Sequence, residues 1–152
     1  MSAFTDYKTE LEKSGEITFI PSGNSMWPTL KDRAQSVVVK KKTDRLKEFD
    51  VALFEKDGII ALHRVIKVLD GGYQTCGDSQ FKCEIVDEDS VFGVMAGFYK
   101  GKDYICADDE KYVKSVKNWY KRRNLRRFKV KYFYFTLRVK NFFKKIKQKK
   151  GK

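Results

Sequence analysis

The amino-acid sequence predicts a mainly β body, a coiled antiparallel sheet or partial barrel, with a short helix before it and a basic helix after it. Three observations lead there. Between Glu16 and Tyr99 short apolar runs rich in Val, Ile, Phe and Tyr alternate with turn residues. Two turn signals, Asp57-Gly58 and Asp70-Gly71-Gly72, fall between runs and read as tight hairpins. Beyond Glu110 acidic residues stop altogether, and the apolar positions fall into a helical period.

Residues 4–14 (FTDYKTELEKS) have the pattern of a short amphipathic helix, with Thr5 as a candidate N-cap and Gly15 at the C-terminal stop. The strand candidates follow in order: ITFI, SVVVK, VALFEK, IIALHRVIKVL, GYQTC and SVFGVMAGFY. Their close spacing and short turns favour antiparallel pairing over βαβ crossovers. Asp87, Glu88 and Asp89 read as a solvated acidic loop. In the tail, Leu125, Phe128, Tyr132, Phe135, Val139, Phe142 and Ile146 recur at intervals of three and four, which is one face of a helix. The run Tyr132-Phe133-Tyr134-Phe135 taken alone is also strand-like.

Charge divides the chain more sharply than hydropathy does. Residues 1–110 carry 15 Lys/Arg against 20 Asp/Glu, whereas residues 111–152 carry 18 Lys/Arg and no acid, together the net +13. The expected organisation is therefore a body of residues 1–110 and a basic amphipathic tail of residues 111–152. An all-basic helix with an aromatic face suits an anionic membrane surface. Packing of that face on the body is the alternative, and nucleic acid ranks below both because no recognition motif accompanies the charge.

Other classes are excluded by what is missing. The 3 cysteines, Cys76, Cys83 and Cys106, form no CxxC pair, and their odd number suits unpaired thiols in a reducing compartment. With 1 histidine and this spacing, a Cys/His zinc site is not expected. No phosphate cradle or cofactor motif occurs, so no cofactor is expected. The N-terminus lacks a basic start followed by an apolar run, and no window is long and apolar enough to span a bilayer. The expectation is a cytoplasmic protein, peripheral on the inner face of the membrane.

Chemistry concentrates in three places. The segment Pro21-Ser22-Gly23-Asn24-Ser25-Met26-Trp27-Pro28-Thr29-Leu30 follows an apolar strand. A serine at such a strand-to-turn junction can present its hydroxyl beside outward backbone N–H groups, the needs of a nucleophile and an oxyanion hole. A serine requires a base, and His63 in Ala61-Leu62-His63-Arg64-Val65-Ile66 is the sole histidine. Strand alternation puts His63, Val65 and Lys67 on one face, with Leu62, Arg64 and Ile66 on the other. A carboxylate on the imidazole would fix its tautomer, and Asp78 in Thr75-Cys76-Gly77-Asp78-Ser79-Gln80 or Glu84 beyond it is available.

In order and spacing these segments resemble the type I signal peptidase family. The Ser-Gly-x-Ser-Met-x-Pro-Thr-Leu box matches at Ser22 to Leu30. Lys47 to Phe54 is similar to the family's G-D-V-V-x-F strand, Leu62-His63-Arg64-Val65 to its base-bearing strand, and Gly77-Asp78 and Phe92-Gly93-Val94 to its closing boxes. Histidine at the base position resembles the endoplasmic-reticulum and archaeal branch. The resemblance covers about residues 17–100 and implies Ser25 as nucleophile, His63 as base, Asp78 or Glu84 as acidic partner, and an oxyanion hole from Ser25 N–H and Ser22. It also implies a serine endopeptidase that cleaves leader or precursor peptides. Four departures stand out: Glu84 is a glutamate where the histidine branch has a second functional aspartate, Gly-Asp-Ser-Gln replaces Gly-Asp-Asn-Asn, Phe49 occupies the glycine position of the G-D-V strand, and the membrane anchor is missing. The self-cleaving SOS repressors share the serine box but use lysine, for which Lys67 is the nearby candidate; no Ala-Gly or Cys-Gly cleavage site precedes Ser25. A catalytically silent peptidase-like binding module, held to membrane by its tail, is the competing expectation.

Overall fold

The computed structural model describes residues 3–150. Its body is an antiparallel sheet curled into a half-barrel. Helix α1 (Ala3–Ser14) leads into β1 (Glu16–Phe19), β2 (Val37–Lys41), β3 (Val51–Lys56), β4 (Ile59–Leu69), β5 (Gly72–Cys76) and β6 (Glu84–Asp87). A 3-10 turn at Glu88–Ser90 precedes β7 (Val91–Lys100) and β8 (Asp103–Cys106), and helices α2 (Glu110–Lys121) and α3 (Arg123–Lys150) follow. Strand order across the sheet is β1-β2-β7-β3-β4-β5-β6, with β8 paired to the end of β7. The chain forms two compact units, Met1–Lys114 and Ser115–Lys152.

Local chemistry explains most boundaries. Asp57 and Gly58 take φ of 53° and 76°, the paired left-handed values of a two-residue hairpin, and the register closes as Lys56↔Ile59. Helix α1 ends where Gly15 adopts φ 76° and its N–H meets Leu11 O at 2.9 Å. Thr5 lies inside α1 rather than before it, so the N-cap expectation fails. Two strands lie outside the expected runs: β6 has two apolar residues, Ile85 and Val86, between two acids, and β8 is a four-residue edge. The acidic loop is also corrected, because Glu88 is bound. It accepts a hydrogen bond from Tyr73 Oη at 2.6 Å and pairs with Lys42 Nζ at 2.8 Å, fastening the loop before β3 to the 3-10 turn.

The sheet buries both faces. One cluster joins Leu11, Ile17, Met26, Leu30, Val37, Val39, Leu53 and Leu62; the other joins Leu46, Ala52, Phe54, Val65, Tyr73 and Val86. Leu11 holds α1 to the first cluster over Gly93, where a Cβ would come within 3.2 Å of the Leu11 side chain and 2.7 Å of Val39.

Strict alternation along β4 breaks at a bulge. The register slips between Val65 and Lys67, so Val65 and Val68, three apart, pack in the same cluster. Lys67 is exposed and leaves the face of His63. That removes the one lysine considered as a substitute base on this strand. Phe49 is a second local exception. It holds φ 76°, a left-handed value that favours glycine, at the position where the resembled pattern has glycine. Hydrogen bonds from Phe49 N–H to Val65 O and from Arg64 Nη1 to Phe49 O, each 2.8 Å, hold it there against the steric cost.

Truncating Leu11→Ala is expected to lower the unfolding free energy by about 2–5 kcal/mol, read from urea denaturation. Tyr73 supplies a pH signature. Burial, reinforced by its bond to Glu88, raises the phenol from 10.0 to about 12. Its contribution to stability is therefore complete below pH 10 and is lost as pH rises through about 12. The variant Tyr73→Phe should show a shallower alkaline loss of stability over that interval.

Candidate active site

The serine segment is a turn pinned from both ends. Met26 and Leu30 are 5% and 2% exposed and sink into the core, with Leu30 N–H donating to Met26 O at 2.9 Å. Gly23, at φ 100°, donates its N–H to Asp32 Oδ1 at 2.7 Å. The Trp27–Pro28 peptide is cis. Ser25, half-buried between these anchors, has its carbonyl held by the Ser79 N–H at 2.8 Å and the Ser79 hydroxyl at 3.1 Å. Those bonds use its carbonyl; among the described residues neither its hydroxyl nor its N–H has a hydrogen-bond partner.

Gly77 makes that contact sterically feasible. A Cβ there would stand 2.6 Å from Ser25 O and 3.0 Å from Ser25 Cβ. The turn Gly77-Asp78-Ser79-Gln80, closed by Gln80 N–H on Gly77 O at 2.9 Å, can therefore lie directly against the serine.

His63 projects from β4 opposite Ala52 of β3, with the Phe54 ring edge-on at 5.9 Å. Its Nδ1 lies 2.8 Å from Glu84 Oε1. An ionised carboxylate can only accept, so Nδ1 carries the proton and Nε2 is the lone-pair nitrogen of the neutral ring. Glu84 opens β6 opposite Thr75, and Lys56 Nζ stands 3.9 Å from its other oxygen while donating to Ile85 O at 2.7 Å. Ser22, Gly23, Ser25 and His63 line one cleft of about 270 Å³, whose remaining walls are mainly apolar and include Tyr7, Phe19, Met26, Ile60 and Leu62.

The two candidate carboxylates part company. Asp78 is 1% exposed and is gripped by Arg64, itself 1% exposed: Nε to Oδ1 and Nη2 to Oδ2 are each 2.7 Å. Thr29 Oγ1 also donates to Oδ2, and Tyr112 Oη lies 3.1 Å from Arg64 Nη2. The acidic partner of His63 is Glu84, not Asp78. The physical reason is alternation: adjacent residues of β4 face opposite ways, so His63 meets Glu84 while Arg64 takes Asp78. Burial acts to lower the Arg64 pKa, but Asp78 and Tyr112 outweigh it and hold the guanidinium protonated. Burial raises the Tyr112 phenol, against the opposing pull of Arg64.

Arg64, Thr29 and Tyr112 received no role from the sequence. The available signal was an arginine inside the apolar run Leu62 to Ile66, since a cation in a buried strand demands a carboxylate. Among the described residues no cluster of three His, Cys, Asp or Glu can hold a metal ion. No disulfide forms: Cys76 is buried, Cys83 half-buried and Cys106 exposed. No protein-family model matches the chain, and no curated protein matches it.

The pairings assign opposite consequences to two similar substitutions. Asp78→Asn leaves a buried guanidinium without its charge partner and is expected to cost about 3–5 kcal/mol of stability. Glu84→Gln, at a part-exposed site, is expected to cost less than about 1 kcal/mol. Chemical denaturation of both variants checks the contrast.

Proposed function

We propose that this protein is a serine endopeptidase of signal-peptidase type that cleaves a leader or precursor peptide through an acyl-enzyme. The observation that carries this reading is an imidazole oriented by a carboxylate through Nδ1 in the same cleft as an unengaged serine hydroxyl. The resemblance of Ser22–Leu30 and Leu62–Val65 to that family's boxes supports it independently.

In the proposed reaction Ser25 Oγ attacks the scissile carbonyl carbon and passes its proton to His63 Nε2. Glu84 stabilises the resulting imidazolium. The developing oxyanion is met by the Ser25 N–H, assisted by the Ser22 hydroxyl, which lines the same cleft. Collapse of the tetrahedral intermediate breaks the C–N bond as His63 returns the proton to the leaving amine. A water, deprotonated by the same imidazole, then hydrolyses the ester.

Two strand edges suit an extended substrate. The cleft is flanked by Phe19 of β1, an edge strand, and by Ile60 to Leu62 of β4, which precede the start of its β5 ladder at Arg64. A peptide added there would gain backbone hydrogen bonds, and the apolar walls would favour small or apolar side chains. Among the described residues no helix is long and apolar enough to cross a membrane. Three cysteines that form no disulfide suit a reducing compartment, and so a substrate made in the same cell.

An acylating serine-directed reagent, read by intact mass, tests the assignment. Wild type should gain one adduct, while Ser25→Ala and His63→Ala should gain none. Glu84→Gln should react at least about a hundredfold more slowly while remaining folded. Turnover that survives in folded His63→Ala would exclude His63 as base. If folded wild type fails to label with vesicles present, the cleft belongs to a catalytically silent peptide-binding module.

A further inference from the structure

Helix α3, 28 residues and about 42 Å long at 1.5 Å per residue, leaves its apolar stripe in solvent. Phe128 is 69% exposed, Tyr132 63%, Phe135 63% and Phe142 61%, with Leu125 and Val139 exposed on the same face. The buried positions of this helix are elsewhere on its circumference. Val130 is 4% exposed and Arg126 7%, the latter with its guanidinium 4.3 Å from the Tyr120 ring centre. Lys129 and Lys140 flank one side of the stripe, and Lys131 and Arg138 flank the other. From Lys111 onward the chain carries 18 cations and no acid.

We infer that α3 is an interfacial membrane helix that lies flat on an anionic lipid surface, its aromatic stripe inserted among the lipids and its flanking cations on their phosphates. This inference is independent of the peptidase reading. Charge chooses the occupant. A second copy would bring two such helices together with cations flanking the seam on both and no acidic residue on either to offset them. A nucleic acid would satisfy the lysines but leave the aromatic rings in water. An anionic bilayer interface accepts both halves of the pattern at once. The helix is too highly charged to cross the bilayer, which leaves the in-plane position.

The test uses the full chain with phosphatidylcholine vesicles containing three parts in ten phosphatidylglycerol, pure phosphatidylcholine vesicles, and a duplex DNA at equal phosphate concentration. Partition should favour the anionic vesicles over the neutral ones, by about fivefold for each cation that reaches the surface. Phe128→Ser/Phe135→Ser/Phe142→Ser should weaken it at least about a hundredfold, with circular dichroism reporting whether the helix persists. In Phe135→Trp, brominated lipid should quench emission beyond the quenching seen in wild type. Equal partition onto neutral and anionic vesicles, tighter binding to the DNA than to the vesicles, or an unquenched Trp at 135 would each overturn the proposal. Unchanged vesicle affinity in the triple variant would do the same, since it would mean charge acts without insertion.

Discussion

Arg64 and Asp78 form the contact on which the rest of the body depends. A guanidinium and a carboxylate, each 1% exposed, meet through two parallel 2.7 Å hydrogen bonds. Removing both ions from water is costly, and their attraction offsets that cost only if the remaining donors and acceptors are also satisfied. Here they are: Thr29 serves the carboxylate, and the Phe49 carbonyl and Tyr112 hydroxyl serve the guanidinium. Five separate segments converge on one buried charge pair, namely β4, the turn after β5, the serine turn, the loop before β3 and the start of α2.

That convergence explains the geometry of the cleft. Asp78 can reach Arg64 only if the Gly77–Gln80 turn sits close, and the adjacent Ser79 then fixes the Ser25 carbonyl by two hydrogen bonds. Thr29 ties the far end of the serine turn to the same carboxylate. The position of Ser25 is thereby referred to Arg64, whose neighbour along β4 is His63. Thus the two chemical groups of the cleft are located by one strand, with a structural ion pair on one of its faces and an imidazole–carboxylate pair on the other.

The small departures from an ideal sheet serve the same arrangement. The bulge after Val65 lets β4 keep Val68 in the core while His63 and Arg64 remain a conventional alternating pair. The left-handed Phe49 directs its carbonyl to Arg64 and its N–H to Val65. The strain is held because bonds on both sides of the residue define it.

How much of this was legible beforehand depended on how local the governing physics is. The hairpin at Asp57-Gly58, the stop at Gly15 and the apolar strands follow from backbone preferences of a few neighbouring residues, so sequence alone determined the β body and its main turns. Charge counts along the chain likewise exposed the basic tail, and the three- and four-residue spacing its apolar stripe. Ser25 and His63 stood out as candidates because few residue types can supply a nucleophile and a base. Which carboxylate serves His63 was not legible, because Asp78 and Glu84 differ only in which strand neighbour they meet across the sheet. Nor was the burial of Arg64 or the slip that turns Lys67 away. Each is decided by pairing register and by packing between residues far apart in the chain, where desolvation and hydrogen-bond satisfaction, rather than local preference, select the partner.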